Sequence, residues 1–304
     1  MKQSWTVEAK RFKAVVVEPA GPDINKLLFS QSFNGIRGVG PNGYDVHSIA
    51  LAVNSILAVY YFLLTGARIG SYRPTLLLND IRDFPLPKSC RIGLQELAAM
   101  TESALDERVK QMYRLNDAEW ALIEDLFLYT LRDFKEGSDS PGRQPTRMTE
   151  DKKGEPGNES VLKTYCDCFT RVFRAGFGEN MKISATIFEE ATSAPLPVRL
   201  IGIHLDSPGK PFIRPETIDS AELIHRLTEL DEKFLKSNDP RNGGVFYQRV
   251  ARVYDTVLMC GRQVPTVFLL KPDQVRYWTR SVALRDADEI TGDIMLWRET
   301  LEGK

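Results

Sequence analysis

The stretch that most constrains this chain is an apolar run at residues 49–64, which reads IALAVNSILAVYYFLL. The run is shorter than a membrane span, which needs roughly 20 predominantly apolar residues, and it contains an adjacent asparagine and serine. It therefore predicts a central helix that is apolar on most faces and buried, with a membrane span as the less favoured alternative. The helix is expected to begin near Asp45 or His47 and to end at Gly66, since glycine commonly terminates helices.

Asn54 lies inside this apolar run. A buried amide without partners costs about 1–3 kcal/mol, so buried polar groups are nearly always hydrogen-bonded. We therefore predict that Asn54 binds the backbone of a neighbouring segment and holds the helix under the loop that follows it. The glycine-rich segment 35–43 is one source of free backbone groups. The alternative is that Asn54 lies on a solvated stripe of the helix and contributes little.

The composition is that of an ordinary soluble globular protein. The chain has 304 residues, of which 42% are hydrophobic and 27% charged, which is enough for two domains with real cores. The net charge of -1 argues against binding of nucleic acid over the whole protein surface, but it allows a local basic face. Four cysteines without a disulfide framework, and a charged N-terminus unlike a signal peptide, favour the reducing cytoplasm.

The sequence pattern changes along the chain and predicts an α+β protein in four segments. Residues 1–90 form a mixed α/β domain around the central helix, with a short strand at 14–17. Residues 91–135 form a helical hairpin that packs against this domain. Residues 136–159 have almost no large apolar side chains and are expected to be a linker or an exposed loop. Residues 160–304 form a second α/β domain.

Local signals place helices and strands within these segments. Asn116 is followed three residues later by Glu119, which is a capping-box pattern, and apolar residues then recur at spacings of three and four. In the second domain the same reasoning predicts helices at 161–173, 220–235 and 285–297, and strands at 198–205, 244–253 and 264–270.

No cysteine or histidine pattern indicates reaction chemistry. Cys166 and Cys168 lie on one predicted helix, where side chains two positions apart diverge by about 200°. No second ligand pair accompanies them, so a zinc site is not favoured. The histidines are scattered, and no nucleophilic triad can be built from their neighbours.

An acidic cluster, Asp286, Asp288 and Glu289, is the sole candidate for a catalytic centre. It lies near the predicted start of a helix, where the helix dipole stabilises carboxylates. Helix capping is therefore favoured, and metal binding is the alternative. The glycines at 35–43 match neither the dinucleotide-binding nor the phosphate-loop spacing, which favours tight turns.

Arginine and aromatic residues cluster in two places. The candidates are Arg68, Tyr72 and Arg73 after the central helix, and Lys271, Arg276, Tyr277, Trp278, Arg280 and Arg285 near the C-terminus. This combination contacts phosphates, reads base edges and stacks on bases in nucleic-acid-binding proteins. It is also favoured in protein–protein interfaces, so both interpretations stay open for the C-terminal cluster. Weaker candidates for contact with a polyanion are Arg143, Arg147, Lys152 and Lys153 of the predicted linker.

Residues 35–87 resemble a known family. The segments GIRG at 35–38, VNSILAVYYF at 53–62, TGARIGSYR at 65–73 and LLNDIRDFPLP at 77–87 carry the resemblance. In order and spacing they are similar to the target-recognition segment of large bacterial adenine-N6 DNA methyltransferases. These are type IIG and related restriction or phage-defence enzymes with a TaqI-like C-terminal specificity domain. The resemblance implies recognition of double-stranded DNA by Arg68, Tyr72 and Arg73, with Arg37 of the first segment as a further candidate contact.

The catalytic half of that family carries an Asn-Pro-Pro-Tyr-type motif and a glycine-rich S-adenosylmethionine loop, and this sequence contains neither. The resemblance therefore implies a non-catalytic specificity subunit of a split modification or phage-defence system. Such a subunit binds no cofactor and acts with a separate DNA methyltransferase subunit. A structural interaction subunit with a degenerate recognition fold is the alternative, and an independent enzyme is the least favoured. Residues 160–304 resemble no family.

Overall fold

The computed structural model describes residues 1, 11–17, 33–36, 45–66, 75–86, 92–147, 160–178, 181–192, 195–237 and 251–302. The chain divides into two compact units, Met1–Lys135 and Glu136–Lys304. It contains helices and a five-stranded mixed sheet, which confirms the predicted α+β class.

The described part of the first unit is mainly helical. Its helices are α1 (Val46–Val53), α2 (Ile56–Thr65), α3 (Leu78–Arg82), α4 (Leu94–Ala99), α5 (Glu102–Tyr113), α6 (Asp117–Asp125) and α7 (Leu131–Glu136), and a π-helical turn, Leu126–Thr130, joins α6 to α7. The predicted strand at 14–17 is wrong, because these residues have irregular backbone.

The central apolar run forms two helices, so the prediction of one continuous helix is wrong. The axes of α1 and α2 differ by 75°, and the chain bends at Asn54 and Ser55. The Ser55 hydroxyl accepts a hydrogen bond from the Ala58 N–H at 3.3 Å and donates one to the Ala52 carbonyl at 2.6 Å. Serine is a preferred N-cap because its side chain satisfies an unpaired N–H of the first turn. A new helix therefore starts where one was expected to continue.

Asn54 makes the backbone contacts that the sequence predicts. Its amide oxygen accepts a hydrogen bond from the Ala14 N–H at 2.7 Å, and its amide nitrogen donates to the Ala14 carbonyl at 2.9 Å. The prediction that Asn54 binds a neighbouring backbone segment is confirmed, with Ala14 as the partner within the described residues and not residues 35–36 of the glycine-rich segment 35–43. The rest of that segment, and the loop at 67–73 that Asn54 was predicted to support, lie outside the described residues. Because these bonds satisfy Ala14 on both sides, that residue has no backbone group left for a strand.

A buried carboxylate holds the other side of the bend. Asp106 of α5 accepts two hydrogen bonds from the Arg11 guanidinium, at 2.8 and 2.6 Å, and one from the Ile56 N–H at 3.1 Å. The Asp106 side chain thus satisfies a second N–H at the start of α2. Bidentate pairs of this kind are among the stronger polar interactions in proteins.

The helical hairpin is part of the first unit. The capping box at Asn116 and Glu119 is confirmed, with reciprocal hydrogen bonds of 2.9 and 2.8 Å. Trp120 and Ile123 of α6 pack with Ile56 of α2. No single described helix is long and apolar enough to cross a membrane; only the bent α1–α2 pair would pass on length and composition.

The second unit is built on the sheet. Its elements are α8 (Val161–Phe177), β1 (Ser184–Glu190), β2 (Val198–His204), β3 (Ile213–Ile218), α9 (Ser220–Ser237), β4 (Ala251–Met259), β5 (Arg262–Pro272) and α10 (Arg280–Glu302). The strand order is β3-β1-β2-β5-β4, with β1 and β3 parallel and the other pairs antiparallel.

Helices cover both faces of this sheet. Residues that alternate along each strand face opposite sides, so the register separates two cores. On one side, residues of β1, β2 and β5 such as Ile187, Ile201 and Leu269 form a core with α8 and α10. On the other, Phe188 and Phe268 pack with apolar residues of α9. The sheet is therefore the middle layer of three.

Most predicted elements of this unit are present. The structure contains the helices and strands expected at 161–173, 220–235, 285–297, 198–205 and 264–270, with shifted ends. The strand expected at 244–253 begins at Ala251 in the described chain, and residues 244–250 lie outside the described residues. The strands β1 and β3 were not predicted from the sequence.

The predicted linker is wrong over residues 136–147. This segment forms 3-10 turns at Gly137–Asp139 and Pro141–Arg143, and Ser140 and Thr146 are fully buried. It is held by hydrogen bonds from small polar residues, whereas the prediction considered only apolar burial. Residues 148–159 lie outside the described residues.

Candidate nucleic-acid interface

The site residues predicted in the N-terminal half lie outside the described residues. These are Arg37, Arg68, Tyr72 and Arg73. The C-terminal candidates Arg276, Tyr277, Trp278 and Arg280 are described, and they lie between the last strand and the last helix of the second unit.

Arg276 and Tyr277 lie in a short 3-10 turn, Val275–Tyr277, that follows β5. Both side chains are partly exposed, and the Arg276 guanidinium lies over the Tyr277 ring, 5.0 Å from its centroid. The Arg276 Nε donates to the Gln274 side-chain oxygen at 3.0 Å. Stacking of this kind limits the number of rotamers, so the arginine is partly ordered before any ligand arrives.

Trp278 is a core residue and is not placed to contact a ligand. Its side chain is fully buried in the core between the sheet, α8 and α10, and its indole N–H donates to the Pro272 carbonyl at 2.9 Å. Because no face of the ring reaches solvent, the expected stacking of Trp278 on a base is wrong for this structure. The burial instead fixes the end of the turn.

Arg280 is the first residue of α10 and is partly exposed. Its backbone carbonyl accepts a hydrogen bond from the buried Cys168 thiol at 3.6 Å, measured to the sulfur. The helix start is thereby tied to α8, and Arg280 lies on the surface next to the 3-10 turn.

A second short turn packs against the first. The Val275 N–H donates to the Gln144 carbonyl at 3.0 Å, which joins the turn Val275–Tyr277 to the turn Pro141–Arg143. Arg143 in that turn is exposed. We call this region the two-turn surface, and its basic and aromatic members are Arg143, Arg276, Tyr277 and Arg280. From the sequence, Arg143 is only a weak candidate in a predicted linker, because no neighbouring residue indicates that its turn joins that of Arg276.

A buried carboxylate fastens the two turns together. Asp273 accepts hydrogen bonds from the Thr146 N–H at 3.0 Å and from the Thr146 hydroxyl at 2.5 Å. The Arg147 Nε lies 3.4 Å from the other Asp273 oxygen, and a second Arg147 nitrogen lies 3.6 Å from Glu190 of β1. The charge of Asp273 is thus compensated inside the protein, so it does not offset the arginines of the two-turn surface.

Lys271, which the sequence places with the basic and aromatic residues of the C-terminal cluster, is not at the surface but forms a buried ion pair beneath the turns. Lys271 of β5 pairs with Asp286 of α10, and the side chains are 1% and 2% exposed. The Tyr165 hydroxyl of α8 donates to the same Asp286 oxygen at 2.6 Å. The Lys271 Nζ donates to the Tyr165 hydroxyl at 3.3 Å and to the Tyr277 carbonyl at 3.2 Å. All three protons of the ammonium therefore have acceptors.

Burial shifts the pKa values of these groups. It lowers the pKa of Lys271 to about 8, although Asp286 opposes this shift by favouring the charged form. Burial, together with the nearby Asp286 carboxylate, raises the pKa of Tyr165 well above its ordinary value. The Lys271 Nζ also lies 4.8 and 5.0 Å from the ring centroids of Tyr165 and Trp278, which favours the cation.

The acidic cluster at 286–289 is not a helix cap. Because α10 begins at Arg280, these residues lie in its second and third turns. Asp286 faces inward to Lys271, whereas Asp288 is exposed and Glu289 pairs with Arg252 of β4. Among the described residues, no group of three or more His, Cys, Asp or Glu side chains is placed to hold a metal ion.

His204 has a structural environment. Its Nε2 lies 2.8 Å from the Thr186 hydroxyl and its Nδ1 lies 3.0 Å from the Thr266 hydroxyl. Because the Thr266 hydroxyl donates to the Val264 carbonyl at 3.1 Å, it accepts from Nδ1–H, and Nε2 accepts from Thr186. Burial, with a smaller effect from Arg214, lowers the pKa of His204 to about 4. The ring is therefore neutral and fully bonded.

Comparisons with protein-family models, with curated proteins and with solved structures find no match to this chain. The resemblance at residues 35–87 therefore rests on its four sequence segments alone.

Proposed function

We propose that this protein is a non-catalytic DNA-recognition subunit that acts in the cytoplasm with a separate adenine methyltransferase subunit, in a split modification or phage-defence system. The observation that carries the proposal is the two-turn surface, where Arg143 lies on a turn joined to the one that bears Arg276 and Tyr277. The resemblance at residues 35–87 supports it independently.

The two-turn surface suits contact with phosphates. Guanidinium groups bind phosphate oxygens through two parallel hydrogen bonds, and such contacts fix the position of a protein on a duplex without reading its sequence. In this proposal Arg143, Arg276 and Arg280 hold the DNA backbone. Base recognition is assigned to Arg37, Arg68, Tyr72 and Arg73, and the partner subunit supplies the methyl transfer.

The anchoring of the turns favours binding. Asp273, Trp278 and Lys271 hold the turn and the residues beside it through buried or partly buried hydrogen bonds. A surface that is ordered before binding loses less conformational entropy when the ligand arrives. Partly exposed arginines on such a turn therefore retain more of their interaction energy than arginines on a mobile loop.

A protein-interaction role is the second candidate. Burial of Trp278 removes the largest stacking platform that the sequence offered, and arginine with tyrosine is also a favoured pair at protein interfaces. The two roles differ in their dependence on salt, because release of counterions from DNA weakens binding steeply as salt rises.

The test is binding of the full chain to duplex DNA across a series of salt concentrations, measured by fluorescence anisotropy. The triple variant Arg143→Ala/Arg276→Ala/Arg280→Ala should lower the log–log slope by about 0.9 for each DNA phosphate that is no longer neutralised. Arg262→Ala is the matched control, since Arg262 is exposed and lies at the opposite end of β5, about 33 Å away at about 3.3 Å per residue. A wild-type affinity that is weak and independent of salt would instead favour the interaction role.

A further inference from the structure

The Lys271–Asp286 pair lies in a largely apolar core, with the Arg252 guanidinium 3.7 Å from the second Asp286 oxygen. It is surrounded by aromatic and aliphatic side chains of β5, α8 and α10. Buried ion pairs are often no more stabilising than apolar residues of similar volume, because both charges lose their water. A contribution to stability therefore does not explain why the pair is here.

The contacts of Lys271 indicate what the pair does. Two of its three donors are used within the core, on Asp286 and on the Tyr165 hydroxyl. The third reaches out of the core to the backbone carbonyl of Tyr277, at 3.2 Å. That carbonyl belongs to the turn that carries Arg276. A methionine or leucine at this position would fill the same volume but would offer no donor to the turn.

We propose that Lys271, held by Asp286 and Tyr165, is a positioning residue for the two-turn surface, and that it fixes the turn Val275–Tyr277 in the conformation that contacts the DNA backbone. This inference rests on the proposed function. Lys271 touches no ligand itself, since it is buried, and it acts through the backbone of Tyr277.

Other contacts to the turn do not replace this one. The Val275 N–H is bound by Gln144, and the Tyr277 N–H is bound by the Gln274 carbonyl. Within the described part of the chain, it is Lys271 that donates to the Tyr277 carbonyl. Without this hydrogen bond, the carbonyl has to turn towards water, and the Arg276 and Tyr277 side chains move with the backbone.

The test removes the pair without leaving a buried charge. The variant Tyr165→Phe/Lys271→Met/Asp286→Leu replaces all three polar groups by apolar ones, which buried ion pairs commonly tolerate. We expect it to stay folded, judged by circular dichroism and Tm, but to bind duplex DNA about tenfold more weakly than the wild type. Tenfold corresponds to about 1.4 kcal/mol, and a hydrogen bond to a charged group can hold a turn in its binding conformation by about this much.

A double-mutant cycle with Arg276→Ala separates positioning from a merely structural role. In the wild type, Arg276→Ala should weaken DNA binding and flatten the salt dependence. In the apolar triple variant, the same substitution should have little further effect, because Arg276 is already displaced. A folded triple variant with wild-type affinity and a full Arg276→Ala effect would overturn the inference.

A second measurement decides the matter if the triple variant does not fold. Asp286→Asn keeps the volume of the side chain and an acceptor for Tyr165 but removes the charge that holds Lys271. Hydrogen exchange by mass spectrometry should then show faster exchange at residues 274–279 and unchanged exchange in β1. Equal exchange at 274–279 in the two proteins would overturn the inference. If the wild type shows no DNA binding that depends on Arg276, the proposed function fails at this surface, and the exchange data still report on positioning.

Discussion

The bend between α1 and α2 and the Lys271–Asp286 pair both place polar groups inside an apolar region, but they do so in different ways. At the bend, neutral groups of Asn54 and Ser55 bind backbone atoms, at Ala14 and Ala52. The charged pair beside them, Arg11 and Asp106, keeps 12% of each side chain exposed. In the second unit, two charged side chains from β5 and α10 bind each other and a tyrosine hydroxyl.

This difference has consequences for stability. A neutral amide that loses its partners leaves one or two unsatisfied groups, which costs about 1–3 kcal/mol. A buried charge that loses its partner costs about 3–5 kcal/mol, because the remaining ion is neither hydrated nor compensated. The loss of Asn54 or Ser55 should therefore destabilise the first unit less than the loss of Lys271 or Asp286 alone destabilises the second.

The largest expected effect is that of Lys271→Met alone. It leaves the Asp286 carboxylate buried, with Arg252 as the nearest remaining cation at 3.7 Å, and should destabilise the protein by about 3–5 kcal/mol. Urea denaturation monitored by tryptophan fluorescence measures this. A destabilisation below about 1 kcal/mol would mean that Arg252 or water compensates the carboxylate, and the contrast with the bend would disappear.

His204 is a buried group that is neutral, as Asn54 is, whereas Lys271 is charged. The pH dependence of the free energy of unfolding should reveal this. The pKa of His204 is lowered to about 4 in the folded protein, against 6.5 for the free side chain. The unfolded chain therefore takes up a proton first as the pH falls, so the stability decreases between about pH 6.5 and 4. The full effect is about 3 kcal/mol at 1.36 kcal/mol for each pKa unit.

His204→Gln is the control for this titration. It should remove that part of the acid destabilisation in denaturation curves measured from pH 7 to 4. An identical pH dependence in the two proteins would show that His204 is protonated as easily in the folded state as in the unfolded state.

A smaller effect is expected for Asn54→Ala at the bend. The substitution leaves the N–H and carbonyl of Ala14 without their partners and should cost about 1–3 kcal/mol in chemical denaturation. A change within about 0.5 kcal/mol would favour a solvated position. Loss of DNA affinity at unchanged stability would instead identify Asn54 as a direct contact.

The smallest effect in this series is that of Ser55→Ala. The Ser55 hydroxyl caps α2, and removal of a serine cap typically costs about 1 kcal/mol. Ser55→Thr keeps the hydroxyl and should retain most of the stability. If alanine and threonine destabilise equally, the fully buried site is limited by space, and the cap is not the reason for the serine.

Several structural features were predictable from the sequence because they depend on neighbouring residues. The capping box at Asn116 and the amphipathic pattern of α8 specify helices through contacts within a few residues. The strands β2 and β5 were predicted because each is a short run rich in β-branched residues. By contrast, β1 and β3 were missed: β1 contains two glutamates at its end, and β3 is largely exposed. Their strand form depends on pairing with each other and with β2.

The sequence by itself determined which residues are available for the candidate site, namely the arginines and aromatic side chains at 276–280. It also placed a polar pair in the middle of the apolar run. It also determined the α+β class, through the local periodicity of its segments. Only the tertiary structure decided that Trp278 is buried, that Arg143 lies on a turn joined to that of Arg276, and that Lys271 meets Asp286 and Tyr165. The physical reason is separation along the chain, since Tyr165 lies 106 residues from Lys271. Such contacts form only when the sheet packs with α8 and α10, and no pattern of neighbouring residues predicts them.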